Sequence, residues 1–584
     1  MNKLILLGNE ALGLGAIHAG VSCCFGYPGT PSTEIISFCK SRSAEGGFSA
    51  QWCTNEKTAF ESALGVSFCG KRALVAMKQV GLNAAADPFM NSTLCAIKGG
   101  LVLAVADDPS MHSSQNEQDS RYYAEFAMTA LLEPANQQEA YEMTISAFSV
   151  SEKYKIPVIV RLVTRVAHSR SAVSVHARLR RQNNFQKAKS KGWLLLPSIS
   201  RINYNAHIGK QSALSDWSEK NSYNTLRINT KRKDFAVITS GIGRNYYAEN
   251  ISDYMKAFGK KGLPSHLHIG SMPFPGKKIN LLTKAAREIL VIEEGMPLIE
   301  KQCTSLIGSA YRITGKLSGV LPRTGELNPD HVRTALGLTI QKSAADTVKV
   351  SSIPQRPPQL CKGCPHSDSF SALNKALLKL NRGILHGADT VVCADIGCYS
   401  LCASAPFFSM ETIVCMGASI PMAKGAAEAG CRYSFGVIGD STFLHSGITG
   451  LIDAAVSQVN MNVIILDNGY VAMTGCQPTM LSSNRFMQIA LSVGCEPTHT
   501  FVLETKPSAI DINAKIIEKE ARYNGLSVII LSRPCPIGQR QDAVNKPADR
   551  RSDKRAHQRQ DAVNKPADRR SDKRAHQRQE AAKK

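Results

Sequence analysis

The sequence predicts a multi-domain α/β protein, with parallel sheets flanked by helices and a basic tail that builds no core. Three observations carry this. Short apolar runs alternate with longer amphipathic stretches over most of the chain, the pattern of strand–helix–strand units. The 584 residues suffice for three or four separate cores. Residues 539–584 contain no aromatic side chain and repeat a polar unit of nineteen residues from Arg540 and again from Arg559, so they are expected to be disordered.

Taken in order, the first domain spans residues 1–170, with strands expected at Lys3–Leu7, Ala73–Met77, Gly100–Ala106 and Pro157–Leu162. Residues 171–231 collect Arg, Lys, Asn and Ser and read as a linker. Alternation resumes at Phe235–Ser240 and defines a smaller domain over 232–345. Three prolines between Ser351 and Pro358 mark a boundary, and a third α/β domain covers 355–538. Gly13-Leu14-Gly15 lacks the third glycine of a dinucleotide fingerprint, since His18 stands there; small residues for close packing explain it better.

Composition excludes several classes. With 43% hydrophobic and 20% charged residues the chain is globular, and its longest apolar runs are strand-sized, too short for a membrane span. Asn9 and Glu10 interrupt the apolar stretch after Lys3 before a signal sequence can form, so a cytoplasmic protein is expected. Of the formal charge of +23, the tail contributes +8, from fifteen Lys/Arg against seven Asp/Glu, leaving +15 for the rest. A tail without aromatics offers phosphates only charge attraction, tempered by its acids, and a nucleic-acid function is set aside. The seventeen cysteines are odd in number and several lie in apolar segments, which favours reduced thiols over a disulfide framework.

The strongest chemical signal is Gly439-Asp440-Ser441, followed by Asp467-Asn468. Phe435–Ile438 reads as a buried strand, Gly447–Val459 as a helix and Asn462–Leu466 as the next strand. In a right-handed strand–helix–strand unit the polar ends of both strands emerge side by side at the carboxyl edge of the sheet. Asp440 and Asn468 would then offer hard oxygens to Mg²⁺, completed by diphosphate oxygens and the Tyr470 carbonyl, with Gly439 allowing close backbone approach.

The spacing of twenty-eight residues between Asp440 and Asn468, with glycine before the aspartate, resembles the thiamine-diphosphate motif. Asp395–Gly397, Cys415–Gly425 (which includes Gly417), Gly439–Gly450 and Leu466–Pro478 resemble the cofactor domain of the alpha subunits of indolepyruvate ferredoxin oxidoreductases. Tyr27-Pro28-Gly29-Thr30-Pro31-Ser32 and Asn55-Glu56-Lys57 resemble the active-site segments of the wider 2-oxoacid ferredoxin oxidoreductases. By that resemblance Glu56 holds the aminopyrimidine ring of thiamine diphosphate, so that its amino group can deprotonate the thiazolium carbon. The loop from Asp107 to Asp119 also resembles the family, and substrate contacts are expected at Thr30, His112 and Ser113.

The resemblance implies a pyrimidine-binding domain, a transketolase C-terminal-like domain and a diphosphate-binding domain. It implies oxidative decarboxylation of an aryl 2-oxo acid such as indolepyruvate, giving an acyl-coenzyme A with ferredoxin as electron acceptor. The implied partners are a smaller beta subunit and a second copy of this chain, a homodimer within a heterotetramer. A C-terminal ferredoxin-like module is usual in the family, but after Arg533-Pro534-Cys535-Pro536 the basic repeat takes its place. Cys361, Cys364, Cys398 and Cys535 resemble in order and spacing the four ligands of a cofactor-proximal [4Fe–4S] cluster; four thiolates also suit zinc, and Cys402 competes as a ligand. Cys476 stands where the family usually has His. Two alternatives remain open at this point: a non-oxidative thiamine-diphosphate decarboxylase or ligase, and a non-catalytic paralogue.

Overall fold

The computed structural model describes residues 2–176, 182–307, 311–340 and 358–545. The repeat tail from 546 onward and most of the proline-rich boundary at 351–358 lie outside the described residues.

Buried apolar strands build three sheets. The first has seven strands, in the order Ser271–Met272, Ala130–Leu132, Val158–Val163, Leu101–Asp107, Ala73–Lys78, Cys23–Gly26 and Ser49–Trp52. All neighbours are parallel except the Ser271–Met272 edge. Leu101–Asp107 is buried throughout: Val102, Ala104 and Ala106 face one core, while Leu101, Leu103 and Val105 face the other. Helices on both faces are what such continuous apolar strands require. Gly15 serves helix packing, because a Cβ there would lie 2.5 Å from the Tyr141 carbonyl oxygen of helix Gln137–Tyr154.

The second sheet has five strands centred on Phe235–Ser240. It is joined to the first by the Ser271–Met272 edge and by a buried ionic network. Arg161 reaches Asp107 at 2.6 Å, Asp119 at 3.5 Å and Glu133, while Arg121 reaches Glu293 at 2.9 Å and Asp119 at 2.5 Å. The third sheet has six strands, all parallel, in the order Thr412–Ile413, Thr390–Ala394, Tyr433–Gly439, Met461–Asp467, Leu526–Ser532 and Thr500–Glu504.

Two sequence expectations change. Lys3–Leu7 is a strand, but it forms a two-stranded antiparallel ribbon with Arg170–Val175 outside the main sheet. The stretch read as a linker holds two helices, Pro197–Gly209 and Gln211–Lys220. Buried His207 on the first helix has Nε2 3.1 Å from the Ala127 carbonyl, and Leu214 on the second is fully buried. Their polar residues are the exposed faces of amphipathic helices, which composition alone reads as loop. Among the described residues no helix is long and apolar enough to cross a membrane.

Candidate active site

In the third sheet, Gly439 pairs in register with Leu466 on the parallel neighbour. Asp440 and Asn468 therefore leave adjacent strand tips on one edge. The Asp440 carboxylate accepts hydrogen bonds from the backbone of Ser441 at 2.6 Å and of Gly469 at 2.8 Å, and from Thr479 at 2.9 Å. The Asn468 side-chain oxygen accepts from Tyr470 N at 2.8 Å, and its amide donates to His366 Nε2 at 3.1 Å. Burial, reinforced by Asp467, pushes the Asp440 carboxyl up to about 7. A buried carboxyl raised in this way is stabilised in its charged form by a cation beside it, and the oxygen donors of Asp440 and Asn468 suit a hard divalent ion. After Asp440 the chain passes through a π-helical turn, Phe443–Gly447, before the helix Ile448–Ser457 begins. Such turns re-aim side chains, and this one carries His445 inward.

The opposing wall comes from the first sheet. Glu56 opens helix Glu56–Phe68, where Asn55 is the N-cap and accepts from Thr58 N at 2.8 Å. The Asn55 amide also donates to the His445 carbonyl at 2.9 Å, and His445 Nε2 lies 2.7 Å from Glu56 Oε2. The Tyr27 ring packs edge-on against His445, and its buried hydroxyl has no hydrogen-bond partner among the described residues. Burial and the charges of Glu56 and Asp440 raise the Tyr27 phenol far above its usual range. Gly81 leaves room for the glutamate, since a Cβ there would stand 2.3 Å from Glu56 Oε1.

Between the walls lies a cavity of about 580 Å³, lined by Pro28, Thr30, Glu56 and Ser113 from the domain of the first sheet and by Gly439, Asp440, Ser441, Asn468 and Tyr470 from that of the third. That volume falls in the ordinary range for cofactor sites. Both walls belong to one chain, so the cavity is formed without a second copy. Of the residues assigned to the site from sequence, two stand elsewhere. His112 is exposed, with Nε2 3.5 Å from Glu326, and does not line the cavity. Gly417, at φ +89°, lies behind the wall, where a Cβ would meet the Ser446 Cβ at 2.5 Å; its neighbours Cys415 and Met416 line the cavity instead.

The four cysteines gather at the Asn468 end. Cys398 lines the cavity, and Cys535 N donates to the Asn468 carbonyl at 2.9 Å. Cys364 N donates to the Cys361 carbonyl at 3.0 Å. Burial, with the neighbouring thiols of Cys364, Cys535 and Cys361, pushes Cys398 up to about 12. Among the described residues no three His, Cys, Asp or Glu side chains meet closely enough to hold a metal ion. The thiols are neighbours but are not gathered into a ligand set. Cys476 lies beside them, and burial with the nearby thiols of Cys535 and Cys361 raises its own thiol. Among the cavity residues that the sequence did not single out are His445 and Lys78. Lys78 ends the Ala73–Lys78 strand, and the rule that polar side chains at carboxyl strand ends meet ligands could have found it.

Comparison with known proteins agrees with this geometry. The family described as "Pyruvate flavodoxin/ferredoxin oxidoreductase, thiamine diP-bdg" matches residues 14–196. The family "Thiamine pyrophosphate enzyme, C-terminal TPP binding domain" matches residues 395–521. The indolepyruvate oxidoreductase subunit IorA of Methanothermobacter thermautotrophicus is 34% identical over 92% of this chain and 87% of its own length. Its counterpart in Archaeoglobus fulgidus is 33% identical over the same shares, 92% and 87%. The counterpart in Thermococcus kodakarensis is 32% identical over 92% of this chain and 86% of its own length. The chain belongs to the indolepyruvate oxidoreductase subunit IorA family, among the thiamine-diphosphate-dependent 2-oxoacid oxidoreductases.

Proposed function

We propose that this chain oxidatively decarboxylates an aryl 2-oxo acid of the indolepyruvate kind to its acyl-coenzyme A, with ferredoxin as electron acceptor. The observation that carries the reading is that Glu56 and the Asp440–Asn468 pair line one cavity from opposite walls. Bound thiamine diphosphate supplies the carbanion chemistry that decarboxylation of a 2-oxo acid needs. Glu56 would hold the aminopyrimidine ring through Oε1, with Oε2 retained by His445. Asp440, Asn468 and the Tyr470 carbonyl would hold Mg²⁺ and, through it, the diphosphate. Pro28, Gly439 and Ser441 line the space between, and Thr30 and Ser113 would meet the substrate.

Decarboxylation leaves two electrons to be passed on. Cys361, Cys364, Cys398 and Cys535 are the candidate ligands of a [4Fe–4S] cluster beside the diphosphate end, and this role requires the thiols to close in on the metal. The reading includes a smaller beta subunit, a homodimer of this chain within a heterotetramer, and a cytoplasmic location. The reading divides the chain into domains at 1–170, 232–345 and 355–538, with the two helices Pro197–Gly209 and Gln211–Lys220 between the first two.

The test is an Mg²⁺-dependent titration with thiamine diphosphate, followed by an anaerobic assay with indolepyruvate, coenzyme A and a viologen dye, with beta subunit added. Saturable binding that disappears in Asp440→Ala is expected, with dye reduction dependent on coenzyme A. Decarboxylation to the free aldehyde without dye reduction would move the chain to the non-oxidative class. No binding by the wild-type chain would leave a non-catalytic subunit.

A further inference from the structure

Lys78 is the one Lys or Arg among the described residues that line the cavity. It ends a fully buried strand, and only 8% of the residue is exposed. Its Nζ donates to the Ser113 carbonyl at 2.6 Å. The Ser113 hydroxyl donates to the Thr30 carbonyl at 3.1 Å. Lys78, Ser113 and Thr30 therefore form one corner of the wall. Gly29 lets this corner close up, since a Cβ there would lie 3.2 Å from the Lys78 Cβ.

The ammonium is incompletely matched. It has three N–H donors, and Ser113 is its one hydrogen-bond partner among the described residues. No described carboxylate lies within ion-pair distance of it. Asp108 acts on it from further off, but that carboxylate already accepts from Ser113 N at 2.8 Å, Ser114 Oγ at 2.6 Å and Thr164 Oγ1 at 2.8 Å. A cation buried beside a cavity without a close counter-ion is costly to maintain, and an anionic ligand offsets that cost. The diphosphate has its place on the opposite wall, at Asp440 and Asn468. Lys78 instead lies on the wall of Glu56, three residues before the Gly81 that makes room for that glutamate.

We propose that Lys78 receives the C1 carboxylate of the 2-oxo acid, with its ammonium as the charged donor and the Thr30–Ser113 corner as its support. This rests on the function proposed above. Lys78 thereby selects 2-oxo acids over the corresponding aldehydes and orients the carboxylate before it leaves as carbon dioxide.

The full chain with its beta subunit is compared as wild type, Lys78→Met and Lys78→Gln. Three quantities are read: thiamine-diphosphate affinity, KM for indolepyruvate, and the inhibition constant of indole-3-acetaldehyde, which keeps the aryl group and carbonyl but lacks the carboxylate. Loss of a charge-assisted hydrogen bond should raise KM for indolepyruvate about tenfold or more in both variants. Cofactor affinity, which also reports folding, should stay within about twofold, as should aldehyde inhibition, since neither interaction uses the lost charge. An unchanged KM overturns the assignment. A KM that rises together with the aldehyde constant means general damage to the cavity and overturns it too. A fall in cofactor affinity alone would give Lys78 to the diphosphate. Failure of the wild type to bind cofactor would overturn the functional reading itself, and this proposal with it.

Discussion

His445 Nε2 and Glu56 Oε2 meet at 2.7 Å, buried, across the seam between the first and third sheets and 389 residues apart in sequence. The Nε2–H donates to the carboxylate, which leaves Nδ1 to accept the Ser446 hydroxyl at 2.6 Å. One oxygen of Glu56 is thus held from the side of the third sheet, and the residue lines the cavity. In His445→Ala the carboxylate loses this partner in a buried place, a penalty of about 1–3 kcal/mol. The expected result is a kcat lower by about tenfold to a hundredfold, with partial recovery in His445→Gln, which restores a donor. Steady-state kinetics on cofactor-saturated enzyme checks it; a kcat unchanged in His445→Ala would leave His445 a packing residue.

Gly81 is needed for space rather than for backbone freedom. A Cβ would overlap the carboxylate of Glu56, with Oε1 at 2.3 Å, Cδ at 2.7 Å and Cγ at 2.7 Å. Gly81→Ala must therefore move Glu56 or the helix Gln79–Ala84, an overpacking cost of about 1–3 kcal/mol. Thiamine-diphosphate affinity should fall about tenfold or more while far-UV circular dichroism is retained. Calorimetric titration decides it, and wild-type affinity in this variant would mean that Glu56 has slack the structure does not suggest.

How much of this was legible in the sequence depends on the range of the interaction. The strand tips at Asp440 and Asn468 were readable because a Gly-Asp and an Asp-Asn each end an apolar run, and adjacent strands of a parallel sheet then bring them together. The Pro28–Thr30 and Glu56 segments were readable through family resemblance. His445 was not, because nothing local to Phe443–Gly447 signals a π-helical turn, and its partner Glu56 lies on a helix of the first domain. The family resemblance of the Asp107–Asp119 loop marked His112 and Ser113 alike, and only the packing of the loop separates them. Ser113, itself exposed, is held at the cavity rim by Asp108 and Thr30, and His112 turns away to Glu326.

The Arg161 guanidinium is fully buried among Asp107, Asp119 and Glu133, with Nη2 donating to the Glu294 carbonyl at 3.3 Å. Removing it leaves Asp107 without its cation and Asp119 and Glu133 to Arg121 alone, and loosens the joint between the first and second sheets. Arg161→Met should destabilise the chain by about 3–5 kcal/mol, the usual cost of breaking a buried ion pair from one side. Urea unfolding followed by fluorescence measures this. A loss below about 1 kcal/mol would show that Arg121 alone neutralises the network.

Burial pushes the Lys78 ammonium down to about 8, against the pull of Asp108, the charged group that faces it. The Ser113 carbonyl and Gly29, its other neighbours, do not titrate. The carboxylate-binding form is the protonated one, so competence is complete below this value and is lost as pH rises through it. The kcat/KM for indolepyruvate should therefore be level below about pH 7, halve near pH 8 and fall toward tenfold per unit above about pH 9. Inhibition by indole-3-acetaldehyde should stay flat over the same span. In Lys78→Arg the guanidinium keeps its charge throughout, and the descending limb should leave the accessible range even if the absolute rate drops. A limb that persists unmoved in Lys78→Arg would assign the titration to another group and remove the charge of Lys78 from substrate recognition.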